Sequence, residues 1–244
     1  MRKIKLTVSY DGTNYHGFQR QKNIITVQQV LEENLARIFD EAISITASGR
    51  TDAGVHALGQ VVSFATEGKI PVDRIVHASN TVLPSSVAVL DAEEMPEDFH
   101  ARYDAKAKQY IYKIMETHLP DPFWANYAWL MENDLAFEMM NEAAEMIRGE
   151  HDFSSFRASG STPTHPVREV YEAFWYREKN LLTFKIKGNG FLYHMVRNLV
   201  GSFVDVGTGK ISVEEFGEIL AAKDRAVAGK TAPPQGLYLS RVFY

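Results

Sequence analysis

The chain has 244 residues, of which 45% are hydrophobic and 23% are charged, and its formal net charge is −5. These proportions are those of an ordinary globular protein, so they exclude the disordered and membrane-spanning classes. Because the chain contains no cysteine, disulfides, iron–sulfur clusters, zinc thiolate sites and cysteine nucleophiles are excluded as well.

The first hundred residues predict the element order βαββαβ. The stretch 3–10 alternates like a strand, and the helix that follows begins with a capping-box pattern at Thr26 and Gln29. The start also lacks a signal-peptide core, and no apolar run reaches the length of a membrane helix, so we expect a cytoplasmic protein. The later elements of this half are strands at 43–47 and 60–66, a helix opened by Pro71, and a strand at 86–92.

The rest of the chain repeats this order with one additional helix. We predict a strand at 106–116, a helix at 135–149 ended by Gly149, a hairpin of 167–176 and 181–187, a helix at 191–207, a second helix capped by Ser212 and Glu215, and a last strand at 236–244. The motif GTGK at 207–210 is therefore a helix end and a turn. It lacks the glycine and the hydroxyl residue that a phosphate-binding loop needs.

This order predicts an α+β fold of two similar split-βαβ halves, ferredoxin-like or RRM-like, in which a largely antiparallel sheet carries its helices on one face. The polar stretch 93–98 separates the halves, which we place at 1–104 and 105–244. The uncovered face of such a sheet is a surface on which looped RNA is often bound.

Two patterns are compatible with RNA binding without requiring it. His194 and Arg197 lie three apart on a predicted helix, where both could project from one edge, although an exposed helix flank has the same pattern. The stretch 99–113 mixes phosphate-binding cations with rings that can stack on bases, although tyrosines of a sheet core would look the same. Its members are His100, Arg102, Lys106, Lys108 and Lys113, with Tyr103, Tyr110 and Tyr112.

The segment GRTDAGVH at 49–56 holds a candidate catalytic carboxylate. Gly49 and Gly54 permit sharp turns, so residues 50–53 are expected in a short loop between two strands. In a locally extended loop, Arg50 and Asp52 project to the same side, where the guanidinium would keep the carboxylate ionised. The alternative is that Asp52 only binds amides of its own turn.

Six segments together resemble the tRNA pseudouridine synthase A family from residue 4 to the C-terminus. The most specific is GRTDAGVHA, and Phe18 stands where the family usually has Trp. The segments are YDGTNYHGFQRQ at 10–21, GRTDAGVHALGQVVSF at 49–64, FHARYDAKAKQYIY at 99–112, HDFSSFR at 151–157, HMVRNLVGS at 194–202 and GLYL at 236–239.

The resemblance implies the pseudouridine synthase fold and an enzyme that isomerises uridines 38 to 40 in the anticodon stem-loop of tRNA. It makes Asp52 the catalytic aspartate, Tyr110 a contact to the target base and Arg50 a neighbour of the nucleophile. Arg197 and Arg20 are weaker candidates for tRNA binding. The resemblance also implies a homodimer. Because the isomerisation consumes nothing, we expect no metal, nucleotide or other cofactor.

Two other functions are compatible with the residues. A non-catalytic RNA-binding protein could use the same double sheet, and it would bind tRNA without turnover. A glycosidase would need a second acid opposite Asp52, such as Asp11 or Asp104, and it would release free uracil.

Overall fold

The computed structural model describes residues 1–132, 134–158 and 165–244. In chain order its elements are β1 (Arg2–Tyr10), α1 (Val27–Phe39), β2 (Thr46–Ala47), β3 (His56–Thr66), α2 (Val72–Val82), β4 (Val87–Met95), β5 (Ala107–Glu116), β6 (Trp129–Met131), α3 (Phe137–Glu145), β7 (Gly149–Asp152), β8 (Val167–Glu178), β9 (Leu181–Gly188), α4 (Met195–Gly207), α5 (Val213–Ala222) and β10 (Leu237–Phe243). In the described part of the chain, no helix has the length and apolar character needed to cross a membrane.

The chain divides into two compact units. The first comprises Met1–Lys106 with Tyr238–Tyr244, and the second comprises Ala107–Leu237. The predicted halves, 1–104 and 105–244, differ from these units chiefly in the last strand. β10 belongs to the first unit because it pairs in parallel with β3, placing Tyr238 opposite His56.

The first unit is a split-βαβ sheet with α1 and α2 packed against each other. Its strands run in the order β4-β1-β3, and β2 and β10 both pair with β3. All of these pairs are antiparallel except β3 with β10. β1 alternates as predicted, and its buried residues are Ile4, Leu6, Val8 and Tyr10.

The second unit has the strand order β5-β9-β8-β7, all antiparallel, with β6 added in parallel to β5. Phe203 of α4 packs edge-on against Phe184 of β9 and Trp175 of β8, so this helix covers the same face of the sheet that β8 and β9 bury. α3 and α5 pack beside α4. The predicted α+β class with largely antiparallel sheets is confirmed.

Both predicted N-cap residues are present, but the capping box predicted at Thr26 and Gln29 is only half formed, because the Gln29 side chain donates to Glu33. The Thr26 side chain accepts a hydrogen bond from the amide of Gln29 at the start of α1. Ser212 and Glu215 form a complete capping box at α5, and α4 ends at Gly207, so GTGK is a helix end and a turn, as predicted.

Two local predictions were wrong, and two short strands were not predicted. Gly149 does not end α3, which stops at Glu145; with a φ of +91° it opens the short strand β7, which was not predicted. β6 was missed as well, because strands of three or four residues carry no periodicity and depend on a partner strand. The helix predicted from residue 191 begins only at Met195.

Candidate active site

Asp52 lies in the loop between β2 and β3, on a turn that Gly54 makes possible. The amide of Val55 donates to the carbonyl oxygen of Asp52 at 3.2 Å, and Gly54 has a φ of +76°. The preceding Thr51 is buried, the Asp52 side chain is half-buried, and Ala53 is exposed. The turn therefore presents the carboxylate-bearing residue at the boundary between the core and solvent.

The stem of this loop is fixed by buried polar groups. The Ser48 hydroxyl donates to the Gln60 side-chain oxygen at 2.8 Å, and the Gln60 amide nitrogen donates to the Gly49 carbonyl at 2.9 Å. The Ser48 amide donates to the Val61 carbonyl at 2.8 Å. Because Ser48 and Gln60 are fully buried, these bonds are costly to break and they define where the loop starts.

The 10–18 segment, which begins at the last residue of β1, binds the Asp52 loop on both sides of the aspartate. The Tyr10 hydroxyl lies 2.7 Å from the Thr51 hydroxyl, and the Phe18 amide donates to the Thr51 carbonyl at 3.0 Å. Beyond the aspartate, the Gly54 amide donates to the Tyr15 carbonyl at 3.3 Å. Asp52 is thus held between two anchored neighbours.

Two glycines allow this close approach. A Cβ on Gly12 would lie 2.0 Å from the Val55 carbonyl oxygen, which no side chain could tolerate. Gly17 has a φ of +89°, and a Cβ there would lie 2.8 Å from the Thr51 carbonyl oxygen. The contact between the two segments therefore requires glycine at both positions.

Phe18, the departure from the usual tryptophan, is a core residue. Its side chain is buried, and its ring centroid lies 6.1 Å from that of Tyr10 in a tilted arrangement. The aromatic ring supports the same Tyr10 that contacts the Asp52 loop.

Arg50 was expected to project to the same side as Asp52 in an extended loop, and the two do not form an ion pair. Arg50 is exposed, and its guanidinium makes no hydrogen bond or ion pair with any described residue. Arg20, in contrast, is bound within the unit: it contacts Glu32 at 3.0 Å and Glu33 at 2.8 Å, both on α1. Both arginines are exposed, and they differ in that Arg20 is held by two glutamates of its own unit.

Tyr110 and Arg197 belong to the second unit. Tyr110 is buried on β5, where its ring packs edge-on against Phe191 at 5.2 Å. Arg197 is half-buried on α4, and its Nε donates to the Ala232 carbonyl at 2.7 Å. Asp52, Arg50 and Arg20 are therefore in one unit and these two residues are in the other.

Tyr112 is a core residue of the sheet and not a surface ring that could stack on a base. It shares a face of β5 with Tyr110, is fully buried, and donates its hydroxyl to the Pro233 carbonyl at 2.8 Å. Burial raises the pKa of the Tyr112 phenol far above its ordinary value, against a smaller opposing effect of the Arg197 charge.

His194 is not on the helix edge that its spacing predicts. It precedes Met195 as the N-cap residue of α4, in the left-handed conformation with a φ of 59°. Its ring lies 3.9 Å from that of Tyr193. The helical spacing to Arg197 is therefore the wrong description, since the chain is not helical at residue 194.

The two alternative acids both accept hydrogen bonds within their own turns, and Asp11 also lies 3.2 Å from Nδ1 of His56. Asp11 accepts hydrogen bonds from the amide and the hydroxyl of Thr13, and Asp104 accepts from the His100 amide at 2.8 Å. These contacts are typical of aspartates that stabilise turns and give no support to a second catalytic acid.

Sequence reasoning missed the contribution of Tyr10 and of the 10–18 segment to the Asp52 loop. The only local signal was the pair Gly12 and Gly17 within eight residues of the strand end, which indicates a close backbone approach but does not identify its partner.

Comparison with known proteins gives a consistent result along the whole chain. Residues 6–104 and 143–244 match the family described as tRNA pseudouridine synthase. The tRNA pseudouridine synthase A of Thermoanaerobacter sp. (strain X514) is 46% identical over 244 residues, which is 100% of each chain. The protein of the same name from Ruminiclostridium cellulolyticum is 45% identical over 245 residues, again 100% of each chain. That of Exiguobacterium sp. is 47% identical over 100% of this chain and 98% of its own.

A solved structure of a Cbf5–Nop10–Gar1 complex also matches, with a TM-score of 0.40 and 12% identity. The match covers 96% of this chain and 57% of the other. A likeness this distant says nothing of function.

Proposed function

The chain belongs to the tRNA pseudouridine synthase family, and on that premise we propose that it isomerises uridines 38, 39 and 40 of the tRNA anticodon stem-loop with Asp52 as the nucleophile. The isomerisation of uridine in tRNA follows from the family. The three positions and the role of Asp52 are the proposal.

The reaction places few demands on the protein. The bond from uracil N1 to the ribose C1′ breaks, the base turns, a bond from C5 to C1′ forms, and the proton on C5 is removed while N1 gains one. No electrons are gained or lost, so no redox partner is consumed. One nucleophile that can leave again and one proton acceptor are sufficient.

Asp52 can act by three routes. Its carboxylate can attack C6 of the ring, attack C1′ of the ribose, or assist loss of the C2′ proton to give a glycal. Each route needs a carboxylate whose position is fixed before the nucleotide arrives. The proton acceptor for C5 can be Tyr110 or a water molecule.

The observation that carries the proposal is the anchoring of the loop around Asp52. Thr51 before it and Gly54 after it are both bound to the 10–18 segment, while Asp52 itself reaches the surface. A turn that served only to connect two strands would not need its flanks fixed in this way. Preorganisation of this kind is expected where a reacting group must be held within a fraction of an ångström.

A uridine within a stem must leave the stack to react, at a cost of a few kcal/mol that protein contacts offset. We propose that Tyr110 contacts the extruded base and that the exposed Arg50 contacts the RNA beside the nucleophile. Arg197 and Arg20 are weaker candidates for tRNA contacts, and Arg20 would have to exchange its glutamate partners for phosphate.

We also propose that the active form is a homodimer that holds one tRNA across both subunits, in the cytoplasm. The mass of the free protein and of its tRNA complex, measured by light scattering in solution, tests this. A monomer in both states would contradict it.

The test of function is incubation with unmodified tRNA transcripts, without metal or nucleotide, followed by mapping of pseudouridine. We expect product at positions 38 to 40 when uridine is present there and none when cytidine replaces it. Asp52→Asn should abolish turnover and leave tRNA affinity within about threefold, because only a reacting group is lost. The control is Asp73→Asn, which changes an exposed aspartate on α2. Turnover by Asp52→Asn, or product at other positions only, would contradict the proposal.

A further inference from the structure

His56, the first residue of β3, contacts the 10–18 segment at Gly12. Its Nδ1 accepts a hydrogen bond from the Gly12 amide at 3.0 Å. The ring is 2% exposed and stacks on Tyr238 of β10, with centroids 4.7 Å apart and planes 23° apart. The imidazole is thus oriented by a neighbouring strand and binds the segment that holds the loop.

The hydrogen bond from Gly12 fixes the tautomer. An imidazole nitrogen that accepts an amide proton cannot carry its own, so while the Gly12 hydrogen bond is made the ring proton of a neutral His56 must be on Nε2. Asp11 Oδ1 lies 3.2 Å from the same Nδ1. A proton on Nδ1 would favour Asp11 and eliminate the acceptor for Gly12, so the two contacts compete for one nitrogen.

Gly12 links His56 mechanically to the catalytic turn. Its backbone is in tight contact with the Val55 carbonyl, and its own carbonyl accepts the Tyr15 amide at 3.0 Å. The Tyr15 carbonyl in turn accepts the Gly54 amide at 3.3 Å. A displacement of Gly12 would therefore reach the residue two positions after Asp52.

We propose that His56 is a positioning residue of this enzyme. By accepting a hydrogen bond from the Gly12 amide, it holds the 10–18 segment against the Asp52 loop and so fixes Asp52 in its reactive position. The inference rests on the proposed role of Asp52. The effect of His56 passes through the backbone of the segment and requires no contact with the base or the ribose.

Two substitutions distinguish the effect of the hydrogen-bond acceptor of His56 from the effect of its ring. His56→Phe keeps the stack on Tyr238 but cannot accept the Gly12 amide, whereas His56→Asn places a carbonyl oxygen near the position of Nδ1. His77→Phe, at an exposed histidine of α2, is the matched control. We expect kcat to fall by about 100-fold in His56→Phe with KM for tRNA within about twofold, as for a misplaced reacting group. His56→Asn should recover most of the kcat.

Amide hydrogen exchange measures the positioning without reference to activity. In His56→Phe the amides of Phe18, Gly54 and Val55 should exchange about tenfold faster, because a tenfold change corresponds to the loss of about one hydrogen bond. In His56→Asn the same amides should exchange at nearly the rate of the unmutated protein. Unchanged exchange in His56→Phe would overturn the proposal. So would an unchanged kcat, or a His56→Asn variant as defective as His56→Phe.

A substitute variant covers the case in which His56→Phe melts below the assay temperature. His56→Gln then replaces it, because the longer glutamine side chain moves the hydrogen-bond acceptor away from Gly12. Turnover and amide exchange of His56→Gln equal to those of the unmutated protein would overturn the proposal. Turnover by Asp52→Asn would contradict the proposed role of Asp52 and not that of His56. In that case, faster amide exchange in His56→Phe would still establish that His56 holds the loop in place.

Discussion

The hydroxyl of Tyr10, the last residue of β1, lies 2.7 Å from the hydroxyl of Thr51, the residue directly before Asp52. Tyr10 is buried and packs on Phe18, so the first strand of the sheet supplies a rigid support for the loop. The position of the candidate nucleophile is therefore coupled to the core of the first unit.

Tyr10→Phe should weaken both stability and turnover. The buried Thr51 hydroxyl loses its partner, so the free energy of unfolding should fall by about 1–3 kcal/mol, and kcat should fall by about tenfold as the loop loosens. Urea unfolding and single-turnover kinetics measure the two effects. Tyr244→Phe removes another phenol hydrogen bond, to the Ala101 carbonyl at 2.7 Å, and should lower stability without affecting kcat. Equal kcat losses in both variants would mean that Tyr10 acts only on stability.

Arg50→Ala should weaken tRNA binding and leave stability unchanged. The guanidinium is exposed and has no partner among the described residues, so its removal should alter the free energy of unfolding by less than about 0.5 kcal/mol. If Arg50 contacts a phosphate, the slope of log affinity against log salt should become shallower by about one. Arg74→Ala on α2 is the control, and an identical salt slope in both variants would argue against an RNA contact by Arg50.

The protein should lose stability at alkaline pH through its buried tyrosines. Burial raises the pKa of Tyr10, Tyr112 and Tyr244 above that of an unfolded tyrosine, about 10. Because the folded-state pKa of each tyrosine is raised, its contribution to stability is complete below about pH 10 and is lost as the pH rises through its folded-state pKa. The free energy of unfolding should then fall by at most about 1.4 kcal/mol per pH unit for each tyrosine. Urea unfolding between about pH 8 and pH 11 measures the slope. Tyr112→Phe should make it shallower, and an unchanged slope would exclude Tyr112 as a contributor.

Ser212→Ala should lower stability without affecting catalysis. Its side chain accepts the Glu215 amide at 3.2 Å, and the Glu215 carboxylate accepts the Ser212 amide at 2.7 Å. Loss of the cap should cost about 1 kcal/mol in the free energy of unfolding. Glu215→Gln keeps an acceptor at this position and should cost less; a larger loss than in Ser212→Ala would show that the charge, and not the cap, stabilises α5.

Long periodic elements could be predicted from the sequence because their signals are local. The alternation of β1, the caps of α1 and α5, and the turn at GTGK all depend on residues within a few positions of one another. β6, β7 and the true end of α3 could not be predicted, since each is decided by a partner strand or by packing.

The candidate site, too, has features that could be predicted from the sequence and features that could not. The glycines around Asp52 predict a turn, which would equally suit an aspartate that only binds amides of its own turn. The resemblance to the tRNA pseudouridine synthase A family is what made Asp52 the candidate catalytic residue. The side-by-side placement of Arg50 and Asp52 was inferred from spacing in an extended loop. Asp52 instead lies in a turn, where the direction of a side chain depends on the turn and not on its distance along the chain.

By itself the sequence determined the class of fold and the order of the long elements, since propensity, periodicity and capping act over a few residues. It also carried the family motif from which Asp52 became the candidate nucleophile. Only the tertiary structure decided that the 10–18 segment, Tyr10 and His56 surround that loop. Those contacts join residues some 40 positions apart through buried hydrogen bonds and glycine backbones, and such pairings form only when the strands of the sheet are in register.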